Sequence, residues 1–215
     1  MPGNRNDPSE LLRRSTGGNG VAAAELFAVY RDRLRLMVRL RLDRRLQGRL
    51  DPSDVLQEAY LDVARRAPEY AVNPTLPPYL WLRFLTGQRL LQLHRQHLGA
   101  HMRDAGQEVS LFQGALPQAS SVSLANQLLG RLTSPTQAAV RAELQLRVQE
   151  ALNGLEPLDR EVLTLRHFEM LSNEETAQVL GLKPSAAGNR HMRALRRLKE
   201  ALAQAPGLGD GPPGP

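Results

Sequence analysis

Apolar residues recur at helical spacing along most of the 215-residue chain, and no sustained alternation of apolar and polar positions is present. The pattern predicts an all-α protein. A stripe that includes Val29 predicts a first helix from about Val21 that continues to Leu46. A second stripe, which includes Leu61, predicts a helix that starts at Asp51 and ends at Pro68. Further helices are predicted over 79–97, 137–152, 158–168, 173–180 and 185–203.

The helical pattern is interrupted once, where Ser, Gly, Pro and Gln replace the periodic apolar residues. This break predicts two small helical domains joined by a flexible linker, which would contain a short helix near Leu124 to Leu129. The two ends are polar and rich in Gly, Ser or Pro. The predicted organisation is a disordered arm at 1–20, a first domain at 21–104, a linker at 105–133, a second domain at 134–203 and a disordered tail at 204–215.

The charge distribution predicts partners of two kinds. The net charge is +6 and the pI about 10.4, which favours binding to polyanions such as nucleic acid. The stretches 70–103 and 183–199 contain basic residues and no acidic ones, whereas Asp51, Asp54 and nearby carboxylates form an acidic cluster. We therefore expect two nucleic-acid contacts and a separate surface for a protein partner.

Other parts of the composition exclude several classes of protein. The chain has no cysteine, which excludes disulfides, thiolate catalysis and cysteine-ligated zinc. No apolar stretch is long enough to span a bilayer, and the polar start does not have the pattern of a signal segment. We expect a cytoplasmic protein with no membrane insertion, no small-molecule substrate and no cofactor.

The last two predicted helices have the pattern of a helix-turn-helix. Ser172 and Glu175 form a capping box at the start of one helix, and Gly181 allows the sharp turn before the next. In the final helix, apolar and edge positions repeat at Ala187, His191, Ala194 and Leu198, while basic residues lie on other faces. A helix held by such a stripe can present cations to phosphates and polar side chains to base edges.

Two separate motifs make the chain resemble the extracytoplasmic-function sigma factors of the sigma-70 family. The segment 158–169, followed by 171–181 and 189–198, resembles the domain that binds the −35 promoter element. The segment 54–61 resembles the helix that binds the polymerase clamp, and 81–83 with the basic helix after it resembles the −10-binding segment. Gly188 is a departure, because the family often has a basic residue there.

The resemblance implies all-α architecture, with a second domain of the four-helix, winged-helix-like type, and a set of binding residues. The implied polymerase-binding residues are Asp54, Gln57 and Glu58, which lie within one helical turn. The implied −10 DNA contacts are Tyr70, Asn73, Trp81, Arg83, Gln88, Arg89, Gln92 and Arg95. The implied −35 DNA contacts are Lys183, Ser185, Asn189, Arg190, Met192, Arg193, Arg196 and Arg197. Alternatively, Trp81 fills the domain core and positions the preceding loop.

The implied function is that of a sigma factor, with no catalytic site. Its partners would be core RNA polymerase, double-stranded and melted promoter DNA, and, as a candidate, an anti-sigma factor. A conventional helix-turn-helix repressor or activator is the alternative, although it leaves the acidic helix unexplained. A metal-dependent enzyme is a third interpretation, because His94, His97 and His101 have spacings that suit one helix face.

Overall fold

The computed structural model describes residues 20–98, 116–130 and 138–204, which form eight α-helices and no strand. The predicted all-α class is confirmed. The chain divides into two compact units between Pro117 and Gln118. The helices of the described residues are α1 (Gly20–Arg41), α2 (Pro52–Val72), α3 (Pro78–Leu98), α4 (Ser121–Leu129), α5 (Ala138–Asn153), α6 (Pro157–Leu163), α7 (Asn173–Leu180) and α8 (Pro184–Gln204).

The first unit is a three-helix core in which α1, α2 and α3 pack against one another. Leucine, valine and alanine side chains fill it, together with most of its aromatic rings. The start of α2 is capped by Asp51, whose carboxylate accepts the N–H of Ser53 at 2.7 Å, and Pro52 occupies the first turn. This cap fixes where the acidic segment of α2 begins.

Two predicted helix boundaries in this unit are wrong. The first helix ends at Arg41, and Leu46 is buried in the turn that follows it. The second helix does not end at Pro68 but continues to Val72. Proline cannot donate the hydrogen bond that the preceding turn would accept, yet the extra turn buries Tyr70, and this packing outweighs the lost bond.

Two apolar residues that the predicted stripes include lie at the surface. Val29 is 46% exposed and Leu61 is 59% exposed. The helices bury a narrower face than the apolar spacing indicates, because each contacts its neighbours on one side. Leu61 is thus an apolar side chain next to the exposed polar residues of α2.

The second unit begins earlier than the predicted linker boundary. Helix α4 packs on α5, with Leu124 and Leu129 buried. Ser121 Oγ lies 2.6 Å from Asn153 Oδ1, and Arg160 donates to Ser121 Oγ at 3.1 Å. These polar links attach residues that the sequence placed within the linker to the helices of the second unit.

The predicted helix over 158–168 is divided into two parts. Helix α6 ends at Leu163, and a π-helical turn covers Thr164–Phe168, closed by the Glu169 N–H donating to the Thr164 carbonyl at 3.0 Å. Met170 follows with a φ of 59°, in the left-handed region that rarely suits a residue other than glycine. This turn directs the chain into α7.

Candidate functional site

Helices α7 and α8 form the predicted helix-turn-helix, and local hydrogen bonds determine its geometry. Ser172 Oγ accepts the Glu175 N–H at 3.1 Å, and the Glu175 carboxylate accepts the Ser172 N–H at 2.8 Å. Gly181 ends α7 with a φ of 64°. The Leu182 N–H then donates to the Ala177 carbonyl at 2.9 Å, so the turn is closed by the backbone.

Helix α8 has an inner and an outer face. Ala187 and Ala194 are fully buried on the inner face, where their small side chains let α8 pack close to α6 and α7. The outer face is on the opposite side of the helix and carries polar, cationic and thioether side chains. Its exposed residues are Ser185, Asn189, Met192, Arg193 and Arg196, and Lys183 is exposed just before the helix.

Two of the predicted −35 contacts lie between these faces and have partners within the protein. Arg190 donates to Asp159 Oδ1 at 2.7 Å, and Arg197 donates to Asp159 Oδ2 at 2.7 Å. Glu156 lies 3.5 Å from Arg190 and 3.3 Å from Arg197. The carboxylates of Glu156 and Asp159 raise the pKa of Arg197. The role of Asp159 could not be predicted from the sequence, because it lies 31 and 38 positions from its two partners.

A pair of histidines joins the π-helical turn to α8. His167 Nε2 and His191 Nε2 are 2.8 Å apart, a hydrogen bond in which one ring is the donor and the other the acceptor. Burial lowers the pKa of both rings, and the nearby Arg166 guanidinium lowers them further. Both therefore favour the neutral form that this bond needs.

In the first unit, three of the predicted −10 contacts are inside the protein. Tyr70 and Trp81 stack in parallel with ring centroids 4.1 Å apart, and Arg83 is also buried. The Tyr70 hydroxyl donates to the Leu76 carbonyl, and burial raises the pKa of Tyr70 to about 12. The structure thus agrees with the alternative role for Trp81, as a core residue beneath the loop that joins α2 to α3.

The remaining predicted −10 residues are at or near the surface. Asn73 lies at the end of α2, and Gln88, Gln92 and Arg95 form an exposed face of α3. Arg89 is mostly buried, and it contacts carboxylates of α2. Its guanidinium lies 3.4 Å from Glu58 and 3.5 Å from Asp62.

The predicted polymerase-binding residues are close together on α2, but their environments differ. The Asp54 carboxylate accepts the Asp51 N–H at 2.9 Å as part of the helix cap. Glu58 is the residue paired with Arg89, so the acidic helix already has a cation from its own domain. Gln57 is exposed, and Leu61 lies one turn further along the same face. The apolar spacing assigns Leu61 to the core, so its place at the surface could not be predicted from the sequence.

The histidines of the metal-site interpretation do not form one cluster in the described residues. His94 is buried, and its Nε2 accepts the Asp43 N–H at 3.4 Å. His97 is exposed, and His101 lies outside the described residues. Within 20–98, 116–130 and 138–204, no group of three His, Cys, Asp or Glu side chains is placed to hold a metal ion. No helix in these ranges is long and apolar enough to cross a membrane.

Comparison with known proteins places the helix-turn-helix in a named family. The family described as Sigma-70, region 4 matches residues 145–198. An ECF RNA polymerase sigma factor, SigD from Mycobacterium tuberculosis, is 27% identical over 205 residues, which cover 95% of this chain and 87% of the relative. An RNA polymerase sigma-E factor from Streptomyces coelicolor is 42% identical over 55 residues, 26% of this chain and 31% of the relative.

Similarity extends over both units. The ECF RNA polymerase sigma factor SigK from Mycobacterium ulcerans is 25% identical over 201 residues, 94% of this chain and 96% of the relative. The fold also matches that of CnrH, solved in complex with the cytosolic domain of CnrY, with a TM-score of 0.53, 21% identity, and coverage of 91% of this chain and 97% of that one. These findings do not favour the repressor or activator alternative. The chain is an RNA polymerase sigma factor of the ECF group, and it acts in transcription initiation by directing promoter recognition.

Proposed function

We propose that the outer face of α8 is the surface that reads the −35 region of duplex promoter DNA. The observation that carries this proposal is the composition of that face. It contains arginines and small polar residues, is exposed, and has no acidic residue between Lys183 and Lys199. Arginines on such a face neutralise phosphates, and Asn189 has an amide of the kind that pairs with adenine edges.

The salt dependence of DNA binding tests this surface. Replacing Arg193 with alanine should lower the log–log salt slope by about 1 unit, because one phosphate contact is lost. The matched control is Arg147→Ala on α5, which removes the same charge from an arginine paired with Glu143. Fluorescence anisotropy with the full chain and a short duplex measures both. Equal slopes for wild type and Arg193→Ala would exclude a phosphate contact at this residue.

We further propose that the exposed side chains around α3 bind the −10 region once it is opened. Asn73, Gln88 and Gln92 supply amides for base edges, and Arg95 supplies a cation for the strand backbone. Tyr70 and Trp81 support the α2–α3 loop from below. Replacement of Gln88 and Gln92 with alanine should reduce the opening of promoter DNA by holoenzyme, which permanganate footprinting of unpaired thymines measures.

The third proposed surface is the exposed part of α2, which would bind core RNA polymerase. Asp54, Gln57 and Leu61 lie on one face of the helix, and they combine a charge, an amide and an exposed apolar group. Such a mixture is suited to a protein partner, since the apolar group can be buried at the centre of an interface. Glu58 lies next to this face, where its carboxylate is paired with Arg89.

Assembly with core polymerase tests this surface without disturbing the helix cap or the Glu58–Arg89 pair. The test variant is Gln57→Lys with Leu61→Lys, and the control is Val72→Lys, an exposed apolar residue of the same helix. We expect the double variant to lose co-elution with core polymerase and run-off transcription, while the control keeps both. A folded double variant that assembles as wild type does would rule out this surface.

We also propose that the protein acts in the cytoplasm, where polymerase is found, and that it binds a regulatory protein of the anti-sigma type. Support for the regulator comes from CnrH, which was solved in complex with the cytosolic domain of CnrY. Co-purification of a tagged full chain from its native host, followed by mass spectrometry, tests both points. Recovery of core polymerase alone would argue against a stable regulator under those growth conditions.

A further inference from the structure

We propose that Asp159 is a positioning residue for α8. Arg190 and Arg197 bind its carboxylate and so hold the helix in place, and they do not contact DNA. The inference rests on the proposed DNA-binding role of α8 and deepens it, because it divides the basic residues of that helix into two groups. Of the cations among the predicted −35 contacts, Lys183, Arg193 and Arg196 would then be the ones that neutralise phosphates.

The geometry of the Asp159 carboxylate carries this inference. Each of its two oxygens accepts a guanidinium N–H at 2.7 Å, one from Arg190 and one from Arg197. The Asp159 side chain is 2% exposed, while Arg190 and Arg197 are 24% and 45% exposed. Both acceptor atoms are therefore used by α8, and the carboxylate lies inside the domain.

The charges around this site balance within the protein. Glu156 lies within 3.5 Å of both arginines at the edge of the site, so two cations face two carboxylates. A guanidinium that moved out to a phosphate would leave a buried carboxylate short of a partner, and a buried charge without its partner is strongly unfavourable. Phosphate contact by Arg190 or Arg197 is therefore opposed, whereas no such cost applies to Arg193.

The spacing of the two arginines explains how one carboxylate can orient a whole helix. Arg190 and Arg197 are seven residues apart, about two helical turns, and both lie beside the inner face that includes Ala194. Alanine side chains are short, so the contacts of the inner face constrain the rotation of α8 less than directional bonds do. Two directional bonds from separate turns to one fixed carboxylate hold the rotation of α8, and hence the direction of its outer face.

The first part of the test compares four single variants of the full chain, each tested for binding to a short mixed-sequence duplex at several salt concentrations. We expect Arg193→Gln and Arg196→Gln to lower the salt slope by about 1 unit each. Arg190→Gln and Arg197→Gln should leave the slope at the wild-type value. Far-UV circular dichroism of each variant confirms that it is folded.

The second part removes the carboxylate. Asp159→Asn should free both guanidiniums, so the salt slope on the same mixed duplex should rise by about 1 to 2 units. Adding Arg190→Gln and Arg197→Gln to Asp159→Asn should return the slope to the wild-type value, because the freed cations are gone. A residue with a merely structural role would not produce this increase and its reversal.

The outcomes separate this inference from the proposed function. If Arg190→Gln or Arg197→Gln lowers the slope as much as Arg193→Gln does, the inference is overturned while DNA binding by α8 stands. If none of the four single variants changes the slope, the proposed function of α8 fails. If Asp159→Asn does not fold, the four single variants still decide between these results.

Discussion

The two units of this protein hold their helices together by different means. The first unit contains every tyrosine of the chain and its only tryptophan, and its helices contact through ring pairs such as Tyr70–Trp81 and Tyr30–Tyr79. Residues 118–215 contain no tyrosine or tryptophan. There the buried residues of α8 are alanines, and directional bonds to Asp159 supplement their packing.

This difference shows that a residue type does not by itself reveal whether a side chain is structural or functional. Aromatic rings suit base stacking, yet in the first unit Tyr70 and Trp81 stack on each other. Arginines suit phosphate binding, yet in the second unit two of those on α8 bind a buried carboxylate. In both cases a partner from a different helix decides the role. Fewer side chains are therefore left for DNA binding than the sequence predicted.

The largest expected effect in this comparison is at the aromatic stack. Trp81→Ala should destabilise the first unit by about 3–5 kcal/mol, because a large buried side chain is replaced by a cavity. Urea unfolding followed by circular dichroism measures the loss. The control, Val72→Ala, removes an apolar group that is 77% exposed. Unchanged stability together with weaker DNA binding would instead indicate that Trp81 acts on bases.

A smaller effect is expected at the turn of the helix-turn-helix. Gly181 has a φ of 64°, so Gly181→Ala should destabilise the second unit by roughly 1–2 kcal/mol, the cost of a left-handed alanine. Hydrogen exchange of peptides from α7 and α8 measures this change separately from the first unit. Protection equal to that of wild type would mean that the turn can relax to another conformation.

Replacing the other glycine of this motif should raise the stability of the second unit instead of lowering it. Gly188 lies inside α8, and a Cβ added there would be 3.5 Å from Asn173 Oδ1, an ordinary contact. Gly188→Ala should therefore stabilise the second unit by about 0.5–1 kcal/mol through helix propensity. The same exchange measurement detects it. Loss of protection would show that α8 and α7 are too close for the extra methyl group.

The smallest expected effect is a pH dependence of the stability of the second unit. The pKa values of His167 and His191 are lower in the folded protein than the usual value of 6.5, so the unfolded chain binds more protons. The stability that this pair contributes is present above about pH 6.5 and is lost as the pH falls through the lower, folded-state pKa values. Protection of α8 against hydrogen exchange, compared at pH 7.5 and pH 5.5 after correction for intrinsic rates, measures the loss.

Two variants test whether His167 and His191 cause this pH dependence. His167→Gln with His191→Gln should reduce the difference in stability between the two pH values, whereas His97→Gln, on α3 of the first unit, should leave it unchanged in α8. An undiminished difference in the double variant would place the titrating group elsewhere.

The features that could be predicted from the sequence are those that depend on neighbours along the chain. The capping box of Ser172 and Glu175, the left-handed Gly181 and the alanine spacing of α8 all involve residues within a few turns, and the structure has each of them. Helix α7 has its predicted bounds for the same reason.

The features that could not be predicted depend on contacts between distant segments. The Asp159–Arg197 bond joins residues 38 positions apart, and the Arg89–Glu58 pair joins α3 to α2. Sequence spacing carries no information on such pairs, so arginines with structural roles look the same as arginines at the surface. Pro68 illustrates the same limit, since its local preference is overridden by the packing of Tyr70.

The π-helical turn at Thr164–Phe168 has a consequence for how this motif tolerates changes in length. A π turn contains one residue more than the α-helical turn that would replace it, but each of its residues advances the chain by less than the roughly 100° of an α-helix. The extra residue is therefore accommodated within the turn. Deleting a single residue here should give a regular α-helical turn and leave the chain beyond it pointing in nearly the same direction. A deletion inside α8 would instead rotate every later side chain of that helix by about 100°. We therefore expect the motif to accept the loss of one residue at this turn but not within α8.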